Sequence, residues 1–433
     1  MIIDKLKEIW SDIDQPFLQE IGKKDFFFNE IINLKIEGLE QVNSGDVIGL
    51  IGDFDPYSIS TLLKLLNKGA IVVPLSKDTF NQHDYFLKES LAQMIFENGK
   101  LIRLISNKQE SHPLLSILRK RKHPGLILFT TGTTGRPKAI LHDFLPFIER
   151  YKTPRPPLRA LSFLLFDHIG GLNTLLHMLF NQGNVVSIKN RSVEEVLNAL
   201  VDYQIELLPT TPTFLRMITL YPNIEKYIPN SLKIISYGTE RMDQPTLNLL
   251  NKKFPNIDFR QTYGMSELGI LRVSSKSKNS LFMKIGGEGV EIKIINNVLF
   301  IRAKNRMLGY LNSESPFDED DWYCTKDLVE KLDNEYIKII GRDNEIINVG
   351  GLKFMPSEVE MVALNYKGIK YAKAIGGNNP ITGQHVELTV ELNKEDINII
   401  EFKKFLNSSL PRHMRPLKLN VKELKISHRF KKL

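Results

Sequence analysis

Residues 125–142 read GLILFTTGTTGRPKAILH, and this stretch carries the strongest signal in the chain. Its first five residues are apolar and predict a buried strand that runs directly into a loop rich in glycine and threonine. Glycine lets a backbone approach an anion closely, hydroxyl and amide groups donate to phosphate oxygens, and a lysine adds positive charge. The stretch therefore predicts a phosphate-binding loop, whose candidate residues are Thr130, Thr131, Gly132, Thr133, Thr134, Gly135 and Lys138.

This loop is not the phosphate loop of P-loop nucleoside triphosphatases. It does not match the pattern Gly-x-x-x-x-Gly-Lys-Ser/Thr, and the residues after Lys138 resemble a strand. We therefore do not expect a P-loop enzyme. A flexible threonine-rich turn is the alternative interpretation, and the ordered string of nine residues favours the phosphate-binding one.

Short apolar runs alternate with amphipathic stretches on both sides of the loop, which is typical of an α/β protein with largely parallel sheets. Residues 45–75 form one such strand–helix–strand unit. From Gly289 onward, shorter alternating strands predict a small β part, and after Gly341 a new succession of strands and helices begins. We predict an α/β fold with a large N-terminal domain of αβα subdomains and a small β part, residues 1–340, and a small α+β C-terminal domain, residues 341–433.

The composition is that of an ordinary globular protein, with 433 residues of which 42% are hydrophobic. The net charge is +8, and residues 411–433 hold eight Lys and Arg against one acidic residue. This basic tail suits a polyanionic small molecule or a partner surface as well as nucleic acid. Since only Phe430 interrupts the last basic cluster, the stacking pattern of a nucleic-acid binder is missing, and we expect no nucleic-acid partner.

The same composition bears on the location of the protein. No run of 18 uncharged apolar residues occurs, and Asp4 and Glu8 lie close to the N-terminus, so we expect neither a membrane span nor a secretory signal. The single cysteine, Cys324, matches no disulfide or metal-binding spacing and fits a reducing compartment. We therefore expect a cytoplasmic protein.

Residues 130–138 resemble the signature loop of the adenylate-forming superfamily, which includes AMP-forming acyl-CoA synthetases, adenylation domains of peptide synthetases and firefly luciferase. Other stretches similar to family motifs follow in the family's order, from about residue 40 to residue 360. They include Asp167-His168-Ile169-Gly170-Gly171, Gly238-Thr239-Glu240, Tyr263-Gly264-Met265-Ser266-Glu267, the stretch from Trp322 to Asp327, and the stretch from Gly341-Arg342 through Gly351 to Glu360.

The resemblance implies a role for each motif. The loop would hold the β and γ phosphates of ATP, and Glu267 would bind Mg²⁺, a cation that prefers oxygen ligands. Asp327 would accept the ribose hydroxyls, and Arg342 would add a donor to the same sugar. The remaining nucleotide-binding residues would be Gly238, Thr239 and Glu240 on the adenine side, together with Tyr263, Gly264 and Ser266.

His168 lies between apolar residues, where a lone histidine is more often a core residue than a catalytic one. Its His-x-Gly-Gly setting resembles that of acyl-CoA synthetases, especially aryl-type and o-succinylbenzoate ligases, in which the histidine lies at the mouth of the acyl pocket. The resemblance therefore implies that His168 is catalytic. Amino-acid-activating relatives carry an aspartate near this motif, but Asp167 is displaced from that pattern, which favours an acyl substrate.

The family's last motif, Pro-x-x-x-x-Gly-Lys, is not matched. In the family its lysine bridges carboxylate and phosphate; here Arg429 lies nearest the expected position, and Lys425 and Lys431 are alternatives. The missing motif admits three explanations. Another basic side chain replaces the lysine, or the enzyme adenylates slowly, or the chain binds a nucleotide or a preformed acyl adenylate without catalysing adenylation. Two smaller departures are Lys326, where the family has glycine, and Asn344, where it has Asp or Lys.

The motifs together imply an ATP- and Mg²⁺-dependent acid–thiol ligase. It would convert a small carboxylic acid to an acyl adenylate and transfer the acyl group to coenzyme A or to the phosphopantetheine of an acyl carrier protein, with the basic C-terminal domain as a mobile lid. The alternative is a homologue that binds the nucleotide or acyl adenylate without catalysis, or that performs the thioester step only. All of this requires the loop to lie beside the Ser266–Glu267 pair.

Overall fold

The structure of the protein is a computed structural model that describes residues 2–106, 108–109, 111–130, 136–151, 153–333, 335–393, 397–424 and 427. Eight of the predicted site residues lie outside the described residues, namely Thr131, Gly132, Thr133, Thr134, Gly135, Lys425, Arg429 and Lys431. The helices of the described chain are all too short or too polar to cross a lipid bilayer.

Strands and helices alternate along the first 261 residues, as the sequence predicts. These elements are α1 (Ile2–Ile9), β1 (Leu18–Glu20), β2 (Asp25–Phe26), α2 (Phe28–Asn33), β3 (Val47–Ile51), α3 (Pro56–Asn67), β4 (Ile71–Leu75), α4 (His83–Glu89), β5 (Met94–Glu97), β6 (Lys100–Leu104), α5 (Pro113–Arg121), β7 (Gly125–Phe129), β8 (Ala139–Asp143), α6 (Phe144–Ile148), β9 (Arg159–Leu161), α7 (Ile169–Phe180), β10 (Asn184–Ser187), α8 (Val193–Asp202), β11 (Leu207–Thr210), α9 (Pro212–Thr219), β12 (Ile234–Tyr237), α10 (Gln244–Lys253) and β13 (Asp258–Gln261).

Strands dominate the rest of the described chain. Its elements are β14 (Tyr263–Met265), β15 (Gly269–Ser275), β16 (Met283–Gly286), β17 (Val290–Ile295), β18 (Val298–Ala303), β19 (Gly309–Tyr310), β20 (Tyr323–Lys331), β21 (Ile337–Arg342), β22 (Ile347–Val349), β23 (Leu352–Phe354), α11 (Pro356–Leu364), β24 (Ile369–Asn379), β25 (Gly383–Leu392), α12 (Ile399–Ser409) and β26 (Lys418–Val421).

The N-terminal elements build two sheets that combine parallel and antiparallel strands. One has the order β19-β8-β7-β4-β3-β5-β6, and the other has the order β13-β12-β11-β9-β10-β1-β2. Strands β4 and β7 are buried along their whole length, since helices cover both faces of such a sheet. Because β12 and β13 are parallel neighbours, their carboxyl ends meet at one edge, where the candidate motifs follow them.

Local sequence explains where several of the helices begin. A short polar side chain precedes the helix and accepts the backbone N–H of its third residue, which satisfies a donor that would otherwise lack a partner. Four helices begin in this way, and in three of them a proline occupies the first or second helical position, where its missing N–H costs nothing. The capping residues are Asp55 for α3, Ser192 for α8, Thr211 for α9 and Asp243 for α10.

A third sheet is antiparallel, with the order β14-β15-β16-β21-β20-β18-β17. The β part therefore begins at Tyr263, and the prediction that it begins near Gly289 was wrong. The reason is that β14 to β16 follow the carboxyl edge of the parallel sheet directly, and the three residues of β14 show no alternation between buried and exposed positions.

Residues 347–421 build a separate, mainly antiparallel sheet, in which β26 adds a parallel strand beside β25. Helices α11 and α12 cover it, and its core includes Val359 from α11, Leu388 from β25 and Phe402 from α12.

Candidate functional site

The phosphate-binding candidate loop connects two neighbouring antiparallel strands. Phe129 at the end of β7 is paired with Ala139 at the start of β8. At the neck of the loop, Thr130 N–H donates to the Lys138 carbonyl at 3.1 Å, and the Lys138 N–H donates to Thr130 Oγ1 at 2.9 Å. The Thr130 hydroxyl oxygen therefore closes the neck, and the Lys138 side chain is exposed beside it.

Two side chains from distant parts of the chain clamp the exit of the loop. Asn312 Oδ1 accepts the Ala139 N–H at 2.8 Å, and Asn312 Nδ2 donates to the Pro137 carbonyl at 3.1 Å. The Tyr85 hydroxyl donates to the same carbonyl at 2.9 Å. With both its donor and its acceptor used, Asn312 fixes the backbone immediately before and after Lys138.

Tyr310 brings the candidate lysine and the candidate magnesium ligand together. Its hydroxyl donates to Glu267 Oε1 at 2.7 Å, while Lys138 Nζ lies 4.6 Å from the centre of its ring. The Glu267 side chain is nearly buried, at 7% exposure, and its backbone carbonyl accepts the Met307 N–H at 2.8 Å. A basic and an acidic side chain from distant parts of the sequence thus meet on one tyrosine.

A buried histidine ties β8 to the Ser266–Glu267 pair. His142 Nε2 donates to the Ser266 carbonyl at 2.7 Å, so the neutral ring carries its proton on Nε2. Burial lowers the pKa of His142 to about 4, and the nearby Arg150 acts in the same direction against the opposing effect of the Ser266 hydrogen bond. His142 is therefore a neutral donor at physiological pH.

The predicted ribose-binding residues lie together at one end of the antiparallel sheet. Asp327 Oδ2 accepts the Tyr263 hydroxyl at 2.5 Å, and Arg342 Nε lies 3.3 Å from Asp327 Oδ1. Burial raises the pKa of Asp327, although the hydrogen bond from Tyr263 and the charge of Arg342 oppose that shift. Burial and the Asp327 carboxylate raise the pKa of Tyr263 well above its ordinary value, which keeps its hydroxyl a donor.

An irregularity in β20 directs Asp327 into this cluster. Between Cys324 and Leu328 the strand contains more residues than the facing stretch of β18, as in a β-bulge. Lys326 lies in this irregular stretch with φ +60°, the left-handed conformation that glycine adopts most readily. Lys326 therefore stands where the family has glycine, but its backbone keeps the left-handed conformation that glycine permits.

Residues 238–240, the predicted adenine-side turn, follow β12 and are packed against the end of β13. A Cβ atom on Gly238 would overlap the Thr262 hydroxyl oxygen and come within 3.0 Å of the Thr262 carbonyl, so this position requires glycine. Thr239 has φ +66°, and the Glu240 carboxylate turns back to α9, where Oε2 accepts the Thr213 N–H at 3.2 Å and the Thr213 hydroxyl at 2.7 Å. Gly264 also lacks room, since a Cβ atom would lie 2.5 Å from the Gly269 carbonyl.

His168 is the N-cap of α7. Its Nδ1 accepts the Gly170 N–H at 3.1 Å, so a neutral ring carries its proton on Nε2. The preceding Asp167 is buried, and its Oδ2 accepts the hydroxyls of Ser76 at 2.9 Å and Thr79 at 3.2 Å. The Asp167 carboxylate is thus engaged in the protein interior.

The structure gathers six of the described candidate residues into two clusters. Lys138, Glu267 and Ser266 lie in one cluster through Tyr310 and His142, and Tyr263, Asp327 and Arg342 form a second. The sequence reasoning missed Tyr310, Asn312, Tyr85 and His142. The available signal was the spacing of Tyr310 and Asn312, since residues two apart in an extended segment share one side.

Glu267 offers one carboxylate to a divalent cation, and within the described residues no group of three or more His, Cys, Asp or Glu could hold a metal ion. Mg²⁺ is commonly held by one or two carboxylates together with substrate phosphates. The donors present therefore fit a magnesium ion delivered with a nucleotide, in which Glu267 supplies the protein oxygen.

The chain is similar in sequence to known CoA ligases. A 2-succinylbenzoate–CoA ligase from Staphylococcus epidermidis is 28% identical over 312 residues, which cover 67% of this chain and 64% of the relative. A 4-coumarate–CoA ligase from Pinus taeda is 25% identical and covers 64% of this chain and 58% of the relative. The matched part of the chain thus spans less than two thirds of the length of both relatives.

The fold is shared with solved structures. The crystal structure of the anthranilate CoA ligase AuaEII in complex with anthranoyl-AMP superposes with a TM-score of 0.82 at 15% identity, covering 100% of this chain and 95% of that one. The sequence profile of the family described as AMP-binding enzyme matches residues 36–311, which include every candidate residue of the phosphate and adenine motifs. The chain therefore belongs to the family of AMP-binding enzymes.

Proposed function

We propose that this protein is an ATP-dependent acid–thiol ligase that forms an acyl adenylate and passes the acyl group to coenzyme A or to a carrier-bound phosphopantetheine. The observation that carries the proposal is the convergence on Tyr310, which holds Lys138 on its ring and Glu267 on its hydroxyl. A triphosphate between them would meet a cation from the protein and a carboxylate that binds Mg²⁺. Neutralising phosphate charge in this way is what phosphoryl and adenylyl transfer require of a protein.

The ribose and adenine would be bound by the two neighbouring groups. Asp327 would accept the ribose hydroxyls beside Arg342, and Gly238 would let the turn after β12 approach the base. We further propose, as the family resemblance implies, that residues 341–433 form a mobile lid with its hinge near residues 342–344.

An acyl substrate is favoured over an amino acid. The Asp167 carboxylate accepts two buried hydroxyls, so it is committed to the protein interior and not to a substrate ammonium group. The relatives are named for 2-succinylbenzoate and 4-coumarate, and the solved neighbour for anthranilate. We therefore propose an aromatic carboxylic acid as the first class to test, with the His168 Nε2–H as a donor to its carboxylate.

The direct test is hydroxylamine trapping of the acyl adenylate with ATP, Mg²⁺ and a panel of aromatic, aliphatic and amino acids, because it reports adenylation whatever the thiol. We expect hydroxamate from at least one aromatic acid, and a loss on the order of a hundredfold in Glu267→Gln and Lys138→Ala, since each removes a charge at the phosphates. Glu288→Gln removes an exposed acid in the turn between β16 and β17 and serves as the matched control. ATP binding without hydroxamate from any acid contradicts the proposal and favours the non-catalytic alternative.

The function of the missing lysine is tested by pyrophosphate exchange. Arg429, Lys425 and Lys431 are replaced singly by alanine, and pyrophosphate exchange is followed with the acid identified in the panel. One of the three should lose most of the exchange while still accepting preformed acyl adenylate in the thioester step. Three variants with unchanged exchange would exclude a substitute for the lysine at these positions.

A further inference from the structure

A buried arginine joins the C-terminal sheet to helix α9. Arg216 lies in the middle of α9 and is 8% exposed. Its Nε donates to the Lys370 carbonyl at 3.2 Å, and its Nη2 donates to the Ile369 carbonyl at 3.0 Å. Both acceptors are main-chain oxygens at the start of β24, so the contact depends on where that strand lies and not on an acidic side chain.

Tyr371 makes the second contact on the same strand. It is 1% exposed, and its hydroxyl donates to the Thr213 carbonyl at 3.3 Å, in the first turn of α9. The N–H and the hydroxyl of Thr213 donate to Glu240 Oε2, in the adenine-side turn. A continuous chain of hydrogen bonds thus runs from β24 through α9 to this turn.

The energetics make Arg216 sensitive to the position of β24. A guanidinium taken out of water is stable only where its donors find acceptors, and in the docked arrangement two of them are the β24 carbonyls. The Lys370 side chain lies beside the second contact, because its ammonium group pairs with Glu391 of β25 and is 5.4 Å from the centre of the Tyr371 ring. A control variant for Arg216 must therefore lie elsewhere in the sheet, and Lys418 of β26 is exposed and pairs with Glu387.

We propose that Arg216 and Tyr371 are positioning residues, which hold the C-terminal sheet on α9 and couple that docking to the adenine-side turn through Thr213 and Glu240. The coupling rests on the proposed function, since that function assigns the nucleotide to this turn. The docking of the C-terminal sheet on α9 does not depend on the proposed function. Because linkage is reciprocal, a ligand that orders the turn must also favour the docked arrangement of the sheet.

Hydroxyl-radical footprinting with mass spectrometry of the full chain tests the docking, because it reads the solvent exposure of Tyr371 directly. In Arg216→Gln, we expect Tyr371 to be oxidised about tenfold faster than in the wild type, since the loss of one charge-assisted hydrogen bond is worth about a factor of ten in an equilibrium. Lys418→Ala removes an exposed ammonium group of the same sheet, which pairs with Glu387; it is the matched control and should leave the rate unchanged. Equal rates in Arg216→Gln and the wild type overturn the proposal.

Two internal standards separate undocking from unfolding. Tyr237 is buried in the N-terminal part and Phe402 in the C-terminal core, and both should keep their low reactivity in every variant. If Arg216→Gln does not fold, Tyr371→Phe removes the second contact by deleting one hydroxyl group, and the oxidation rate of residue 371 is measured in the same way. Faster oxidation is again the expected result, and an unchanged rate overturns the role of Tyr371.

The coupling is tested by adding ATP with Mg²⁺. The wild type should show slower oxidation of Tyr371, and Thr213→Val, which lacks the hydroxyl donor to Glu240, should lose most of that effect. An equal effect in both proteins overturns the coupling. Equilibrium dialysis measures ATP binding separately, so a chain that binds no ATP refutes the proposed function while the comparison of Arg216→Gln with the wild type still decides the docking.

Discussion

Lowering the pH from 7 to 5 should destabilise this protein through His142, which is buried and donates to the Ser266 carbonyl. Its pKa is about 4 in the folded chain, against about 6.5 when unfolded. Above pH 6.5 both states are neutral, and the residue contributes no pH dependence. As the pH falls toward 4, the unfolded state binds a proton that the folded state does not, so stability is lost with falling pH at about 1.4 kcal/mol per pH unit. At pH 5 the loss from this residue is about 2 kcal/mol.

His142→Gln isolates that contribution, because glutamine keeps an N–H donor for the Ser266 carbonyl and does not titrate. Urea unfolding of both proteins at pH 7 and pH 5, followed by fluorescence of the buried Trp10, gives the two differences in the free energy of unfolding. We expect the wild type to lose about 2 kcal/mol more than the variant, since all other titrating groups are common to both. Equal losses in the two proteins would refute a neutral, buried His142.

Three further predictions follow from the site. Tyr310→Phe removes the hydroxyl that orients Glu267 and should weaken Mg²⁺–ATP binding about 10- to 100-fold in titration calorimetry, whereas unchanged binding would show that the hydroxyl does not matter. Lys326→Gly should raise the free energy of unfolding by about 0.5–1 kcal/mol, because glycine relieves the left-handed backbone at φ +60°, and a decrease would contradict that reasoning. Gly238→Ala should abolish ATP binding by overlap with the Thr262 hydroxyl, and the double variant with Thr262→Ala should recover part of it; additive losses would be inconsistent with a direct clash.

Elements with caps and clear apolar spacing were predicted well from the sequence. Helix α8 runs from Val193 to Asp202, and both of its signals can be read from the sequence, since Ser192 caps it and its apolar residues recur at helical spacing. Helix α7 was not predicted, since it begins with Ile169-Gly170-Gly171 and glycine disfavours a helix. Packing overrides this propensity, because a Cβ atom at Gly171 would overlap the Leu165 carbonyl.

Strand β24 was missed for a related reason. Its second half contains Gly376-Gly377-Asn378-Asn379, residues typical of turns. In the structure all four residues pair with β25, for example Gly376 with Val386 and Asn379 with Gly383. The extended conformation of this segment is therefore set by its partner strand and not by the propensity of its own residues.

The candidate site shows the same division between local and distant information. Motifs identified Lys138 and Glu267 as members of one site, but not what lies between them. Tyr310 joins them only because β19 pairs with β8, Tyr310 opposite Ile140 and Gly309 opposite Leu141. That register depends on two short strands about 170 residues apart, and no local pattern in either strand encodes it.

The departure at Lys326 shows how a site can be retained when a motif residue changes. A residue other than glycine in the left-handed conformation costs about 1–2 kcal/mol, so the surroundings must hold it there. They do so through Thr325, whose Oγ1 donates to the Leu299 carbonyl at 2.8 Å and accepts the Asp327 N–H at 3.0 Å. The orientation of Asp327 therefore depends on Thr325, Tyr263 and Arg342, and not on the residue that precedes it. At Lys326 the motif residue has changed, but the surrounding residues still hold Asp327 in place. Likewise, the function of the missing terminal lysine is retained only if another side chain places a positive charge at the reacting carboxylate.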